Sequence, residues 1–152
     1  MNDIEMISIF HNKQPTYNPQ KTNGKPYHVS RDKNGRITEG MYIGEMEPTE
    51  TINNGTRLPK RILEFNQEKG LHPAQKPVAL MEYLIKTYTN EGETVLDFTC
   101  GSGSTLIACR NLDRNSIGID NWFCEKSKVV NGIQINKLKW IEIARLRLDS
   151  KI

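Results

Sequence analysis

Two stretches of the chain carry residue types whose spacing could do chemistry. The first is His72-Pro73-Ala74-Gln75-Lys76-Pro77. The second is Asp97-Phe98-Thr99-Cys100-Gly101-Ser102-Gly103-Ser104-Thr105, followed by Ile117-Gly118-Ile119-Asp120. An acid that closes a short apolar run, then a Gly-x-Gly turn, then the apolar Leu106-Ile107-Ala108-Cys109, is the shape with which open α/β sheets bind nucleotides. A phosphate-gripping loop would need a lysine after its last glycine, and none stands in 97–109. A dinucleotide fingerprint would need a third glycine at 106, where the chain has Leu106.

What remains is a smaller adenosine-bearing cofactor without phosphates. It needs the tight turn at Gly101 and Gly103 and an acid at the end of the next strand. Asp120, 23 residues beyond Asp97, could accept two hydrogen bonds from a ribose diol, and Trp122 or Phe123 could cover the adenine face. S-adenosylmethionine (SAM) fits this set best. From the turn alone, a glycine turn that only reverses the chain stays an open alternative.

The elements that must position these residues follow from periodicity. Ile4-Glu5-Met6-Ile7-Ser8-Ile9-Phe10 alternates and reads as a strand, as does Arg61-Ile62-Leu63-Glu64-Phe65. Gln75-Lys76-Pro77 opens a helix, with Pro77 suited to its first position and a buried stripe of Val78, Met81, Leu84, Ile85 and Tyr88. A strand over 94–97, a helix over 103–112 and a strand over 116–120 follow. Residues 121–138 read as irregular, and a closing helix over 139–148 turns Trp140, Ile143, Ala144 and Leu148 inward. Strand, helix, strand, helix gives an α/β fold with a partial, mostly parallel Rossmann-like sheet.

Residues 12–60 differ in kind. They hold five of the seven prolines and the turn pairs Asn23-Gly24, Asn34-Gly35 and Asn54-Gly55, so a long polar loop region with at most short hairpins is expected. The expected division is therefore 1–60, an N-terminal strand and basic loop region, and 61–152, a cofactor-binding core. The net charge of +3 is mild, but residues 12–61 carry nine Lys/Arg against five Asp/Glu. Such an excess suits a phosphate-bearing partner. Cys100, Cys109 and Cys124 are odd in number and lack C-x-x-C spacing, so neither a disulfide framework nor a metal site is expected. With acids where a signal peptide needs bases and no long apolar run, the expectation is a soluble, cytoplasmic protein with no membrane partner.

Taken in order and at their spacing, His72-Pro73-Ala74-Gln75-Lys76-Pro77, the glycine turn and Ile117-Gly118-Ile119-Asp120 resemble the DNA amino-methyltransferases, which make N6-methyladenine or N4-methylcytosine. The match is to the subgroup whose catalytic half precedes its cofactor half. It is strong over 61–120, and Pro15-Thr16-Tyr17-Asn18-Pro19 resembles the stretch after the catalytic half. The resemblance implies a SAM-dependent methyltransferase core of a restriction-modification type. His72, Lys76 and Pro77, with Asp97, Phe98, Gly101, Gly103, Ser104 and Thr105 of the glycine turn, would surround the methionine moiety, and Asp120 would take the ribose. The chain departs from the family in having Phe98-Thr99 where Pro-Phe is usual, and in a longer stretch over 122–138.

The family's catalytic motif, [DNS]-P-P-[YFW], grips a flipped base and accepts the hydrogens of its amine. No two of the seven prolines here are adjacent. No catalytic residue is therefore assigned, and the chain is expected to be inactive alone: a cofactor-side half completed by another chain, or a truncated remnant. Residues 12–60 lie where the family contacts double-stranded DNA, so Lys13, Lys21, Lys25, Arg31, Lys33 and Arg36 are the candidate DNA contacts.

Overall fold

A computed structural model describes residues 4–31, 49–68, 72, 74–121, 129–130, 133–134 and 138–149. The chain forms two compact units. One is Pro19–Arg61, and the other combines Met1–Asn18 with Ile62–Ile152.

In the smaller unit, β1 (Thr22–Asn23) pairs antiparallel with β4 (Thr56–Arg57), and β2 (Tyr27–Arg31) pairs antiparallel with β3 (Thr49–Asn53). Gly55 turns the chain between β3 and β4 at φ +92°, and its amide donates to the Asn53 side chain. The Arg57 guanidinium lies 4.8 Å over the Tyr27 ring and donates to the Lys25 carbonyl, while His28 meets Glu50 at 2.6 Å across the β2–β3 pair. Neither Asn23-Gly24, between β1 and β2, nor Asn54-Gly55, between β3 and β4, closes a hairpin, since the strands pair as β1–β4 and β2–β3; Asn34-Gly35 lies outside the described residues.

The larger unit builds the parallel core. Helix α1 (Val78–Tyr88) begins where Pro77 stops donating, and the Glu68 carboxylate accepts the orphan Val78 N–H at 2.9 Å. Strand β5 (Thr94–Asp97), helix α2 (Ser104–Asn111) and strand β6 (Asn115–Gly118) follow, with β5 and β6 parallel and Leu96 opposite Ile117. A two-residue hairpin of β7 (Val129–Val130) and β8 (Ile133–Gln134) precedes α3 (Trp140–Leu148). Helix α2 is the centre of the packing. Its Ala108 and Cys109 bury against Ile85, Val78 and Met81 of α1 and Val95 of β5, and its Leu106 buries against Ala144 of α3.

Helix α1 keeps the expected stripe at Val78, Met81 and Ile85. Its C-terminal carbonyls are closed by Asn18, whose side-chain amide donates to Lys86 and Thr89 and whose backbone N–H donates to Thr87. Tyr17 packs on Tyr88 and Phe65 edge-on against Tyr83, each with ring centroids 6.1 Å apart.

Three expectations are corrected. Residues 4–10 form no strand. Met6 is 90% and Phe10 92% exposed, because an alternating segment becomes a strand only beside a partner, and none lies along it among the described residues. Residues 61–65 form no regular strand either. The sheet is parallel only at β5–β6, and the other three described pairs are antiparallel. In addition, strand β6 ends at Gly118, so Asp120 lies beyond it, and the stretch expected to be irregular carries the β7–β8 hairpin. Trp122 and Phe123 lie outside the described residues.

The two-stranded parallel sheet is covered on one face only. Val95 turns into the core, while the paired Leu96 and Ile117 are 57% and 53% exposed, with Phe98 and Ile119 exposed beyond them. Among the described residues each strand also has one unpaired edge.

Candidate cofactor site

The glycine turn is held from both ends. The Ile119 amide donates to the Asp97 carbonyl at 2.9 Å and the Cys100 amide to the Ile119 carbonyl at 3.0 Å. The turn thus continues the β5–β6 ladder. Gly101 and Gly103 then sit at φ +50° and +83°, where a side chain would be strained. A Cβ on Gly103 would stand 2.8 Å from the Ala144 Cβ, so α3 closes against the bare backbone.

Leu106 stands where a dinucleotide fingerprint keeps its third glycine, and the close helix-to-strand approach is made elsewhere. A Cβ on Gly118 would stand 2.7 Å from the Leu106 Cδ1. The room is supplied by the strand rather than by the helix.

Beside this turn lies a cavity of about 380 Å³, a size suited to a small cofactor. Of the residues expected to bind one, His72, Lys76, Asp97, Gly101, Ser104 and Thr105 line it. The structure gives each a specific state. His72 Nδ1 accepts the Ala74 N–H at 3.1 Å, and its ring stands edge-on to Trp140 at 4.5 Å. The Lys76 ammonium meets both oxygens of Glu5 at 2.6 Å. Asp97 accepts the Thr99 N–H at 3.1 Å and so shapes its own turn. Ser104 begins α2, and its Oγ is buried with no hydrogen-bond partner. Ser104 lines the cavity at a helix N-terminus, whose free amides suit a ligand's acceptor group, while its Oγ is closed off beneath the surface.

The other four expected residues do not line the cavity. Gly103 faces α3, Pro77 caps α1, and Phe98 is 73% exposed. Asp120 is behind the turn, where its carboxylate accepts the Gly101 N–H at 2.9 Å. It is tied to the turn that it was expected to complement.

Sequence reasoning missed Gln75, Ser102, Glu68 and Arg147. Ser102 is 2% exposed, and its hydroxyl donates to the Gln75 carbonyl at 2.8 Å. The Gln75 amide continues to Glu68 at 3.3 Å, and Arg147 donates to the Ser102 backbone carbonyl at 2.8 Å. Gln75 was legible as part of a motif, but Arg147 had no sequence signal beyond a basic residue in a last helical turn. The Cys100 thiol is pushed up to about 11 by burial and by the nearby Asp97 and Asp120 carboxylates, so it is a neutral wall and no nucleophile at neutral pH.

Of the candidate DNA contacts, Lys13 lies exposed in the larger unit, and Lys21 and Lys25 lie exposed in the smaller. Arg31 ends β2. Its side chain, Lys33 and Arg36 lie outside the described residues. Among the described residues no cluster suits a metal ion, and no helix is long and apolar enough to cross a membrane.

Comparison with known proteins places these features. A family model described as DNA methylase, of the N6/N4 methyltransferase type, matches residues 2–125, a span that ends before α3. The type II methyltransferase M.HpaI of Haemophilus parainfluenzae is 39% identical over 99 residues, which cover 61% of this chain and 27% of that protein. The type II methyltransferase M.HindIII of Haemophilus influenzae is 40% identical over 87 residues, covering 57% of this chain and 26% of that one. The chain thus spans about a quarter of the length of these curated relatives. The crystal structure of the M1.HpyAVI–SAM complex aligns with a TM-score of 0.39 at 26% identity, over 79% of this chain and 62% of that one.

Proposed function

Because the chain belongs to the N6/N4 DNA methylase family, we propose that it is the SAM-binding portion of a site-specific DNA methyltransferase acting on adenine N6 or cytosine N4. The observation that carries this reading is the cavity between the glycine turn and the His72–Lys76 turn, which Ser104 at the start of α2 lines together with His72, Lys76, Asp97, Gly101 and Thr105. The first amides of a helix suit the carboxylate of a methionine moiety. Gly101 keeps the backbone bare on the cavity wall, Gly103 keeps it bare for the approach of α3, and Asp120, braced on the Gly101 N–H, is the candidate for a ribose diol. Among the described residues the lysine that lines the cavity, Lys76, is paired with Glu5 rather than free for a polyphosphate.

SAM, when bound, supplies an electrophilic methyl group on a sulfonium. This chain's residues hold and orient it and keep water from the turn. They do not grip the acceptor, because an exocyclic amine has a lone pair delocalised into its base and needs acceptors for its hydrogens. The adjacent prolines of [DNS]-P-P-[YFW] are absent from the sequence. The motif that grips the acceptor therefore lies outside residues 1–152. Lys13, Lys21, Lys25, Arg31, Lys33 and Arg36 contact DNA phosphates, which positions the duplex without reading it. The absent motif favours one second reading, a catalytically inactive remnant that binds SAM or DNA weakly.

Isothermal titration with SAM, S-adenosylhomocysteine, NAD and ATP tests the cofactor assignment. Heat is expected for the first two alone. Saturable heat with NAD or ATP and none with SAM would overturn it. Co-expression with an upstream frame encoding the catalytic motif, followed by transfer of tritium from labelled SAM to DNA, separates the split enzyme from the remnant.

A further inference from the structure

Helix α3 places three side chains on the two turns of the cofactor site. Trp140, Ala144 and Arg147 follow one another at i, i+4 and i+7, which puts them on one face. Trp140 packs on His72 of the first turn, and Ala144 fills the space against Gly103 of the second. Arg147 donates from one guanidinium nitrogen to the Ser102 carbonyl at 2.8 Å and to its hydroxyl at 3.3 Å.

The polar contacts do not end there. Ser102 passes a hydrogen bond to Gln75, Gln75 passes one to Glu68, and Glu68 caps the first amide of α1. Each member of this chain is used in a consistent sense. The Ser102 hydroxyl accepts from Arg147 and donates to Gln75, and the Gln75 side chain accepts through its oxygen and donates through its nitrogen. The glycine turn and the His72–Lys76 turn also meet directly, since a Cβ on Gly101 would stand 3.4 Å from the His72 ring. Arg147 and Trp140 tie both to one rigid helix.

We propose that α3 sets the spacing between the two walls of the cofactor site and that Arg147 is its positioning residue, acting through Ser102 and Gln75. Burial lowers the Arg147 pKa, yet the guanidinium stays charged across the accessible range. Its hydrogen bonds to the buried Ser102 carbonyl and hydroxyl, both from one guanidinium nitrogen, are therefore charge-assisted. The ligand named in the test rests on the SAM reading above, whereas the positioning role does not.

The test compares Arg147→Gln with Arg145→Gln, which removes the same charge from an exposed position of the same helix. Amide hydrogen exchange is followed in the ligand-free full chain, and SAM binding is followed by calorimetry. In Arg147→Gln the amides of 100–103 should exchange roughly ten- to a hundredfold faster, with SAM affinity falling by a similar factor. Arg145→Gln should leave both unchanged. Arg147→Lys keeps the charge but ends one bond short of the donating nitrogen, so it should restore the global melt and recover only part of the exchange protection. That variant carries the comparison if Arg147→Gln does not fold. Equal exchange at 100–103 in wild type, Arg147→Gln and Arg147→Lys would overturn the proposal. Faster exchange in a protein whose wild type gives no heat with SAM would instead keep the positioning role and remove the cofactor assignment.

Discussion

Replacing Gly103 by alanine tests the packing of the site with the least chemistry. Two costs arise at once. The residue sits at φ +83°, where a Cβ costs roughly 1–2 kcal/mol, of which the stiffer unfolded chain returns roughly 0.4–1 kcal/mol. The new methyl would also stand 2.8 Å from the Ala144 Cβ and 3.2 Å from its Cα. Because the second neighbour is helix backbone, it cannot swing aside, and overpacking of this kind costs about 1–3 kcal/mol. Gly92 supplies the internal control. It has φ +77° and nothing within 4 Å of its notional Cβ, so Gly92→Ala carries the backbone cost alone. Urea unfolding should place Gly92→Ala within about 1 kcal/mol of wild type and Gly103→Ala lower by a further ~1–3 kcal/mol. The contact can then be removed from the other side. Ala144→Gly has its own helix cost of about 1 kcal/mol. If the clash is real, the double variant should be more stable than the two single losses sum to, by at least ~0.5 kcal/mol. Strict additivity, or equal losses at Gly92 and Gly103, would refute the close approach of α3 to the glycine turn.

Asp120→Ala removes the acceptor of the Gly101 N–H as well as a candidate ribose ligand, so calorimetry should show SAM affinity reduced roughly ten- to a hundredfold; equal affinity would dismiss Asp120 from the site. The chain alone should leave mixed-sequence DNA unlabelled with tritiated SAM, and clear labelling would reveal an unrecognised base site. Burial raises the Cys100 thiol from its ordinary value of 9.0 to about 11, so the unfolded chain releases this proton first as pH rises; stability should be complete below pH 9 and fall between pH 9 and 11, with a shallower fall in Cys100→Ala melts. The paired, exposed Leu96 and Ile117 should drive self-association in sedimentation, relieved by Leu96→Lys or by co-expression with a chain that covers the sheet; a compact monomer at high concentration for both wild type and Leu96→Lys would count against that.

Local signals made the centre of this molecule legible. The 3.6-residue recurrence of Val78, Met81 and Ile85 announced the buried side of α1, and the glycine turn announced the step from β5 to α2. Leu106 correctly argued against a dinucleotide, though only the structure shows that Gly118 provides the missing room. Segments whose state depends on a neighbour were not legible. Residues 4–10 alternate as a strand would, yet alternation cannot supply the partner that a ladder needs. The roles of Arg147 and Glu68 rest on contacts across 45 and 10 positions that no pattern along the chain encodes. Asp120 was expected at the end of a strand that in fact stops at Gly118, and its bond to Gly101 depends on how the turn folds back.

Helix α1 gives the smaller unit an architectural independence. The chain enters Pro19–Arg61 just after Tyr17 and Asn18, which seat on Tyr88 and the helix's last carbonyls, and it resumes with Phe65 against Tyr83. Both footings stand on one helix, five residues apart, which is about 7–8 Å along its axis. Whatever lies between two fixed footings on a rigid rod can be exchanged as a graft. Doubling the length of such an excursion costs only about 0.6 kcal/mol of closure entropy. A chain of this design can accept a different insert at 19–61 while the glycine turn, Ser104 and Arg147 keep their places.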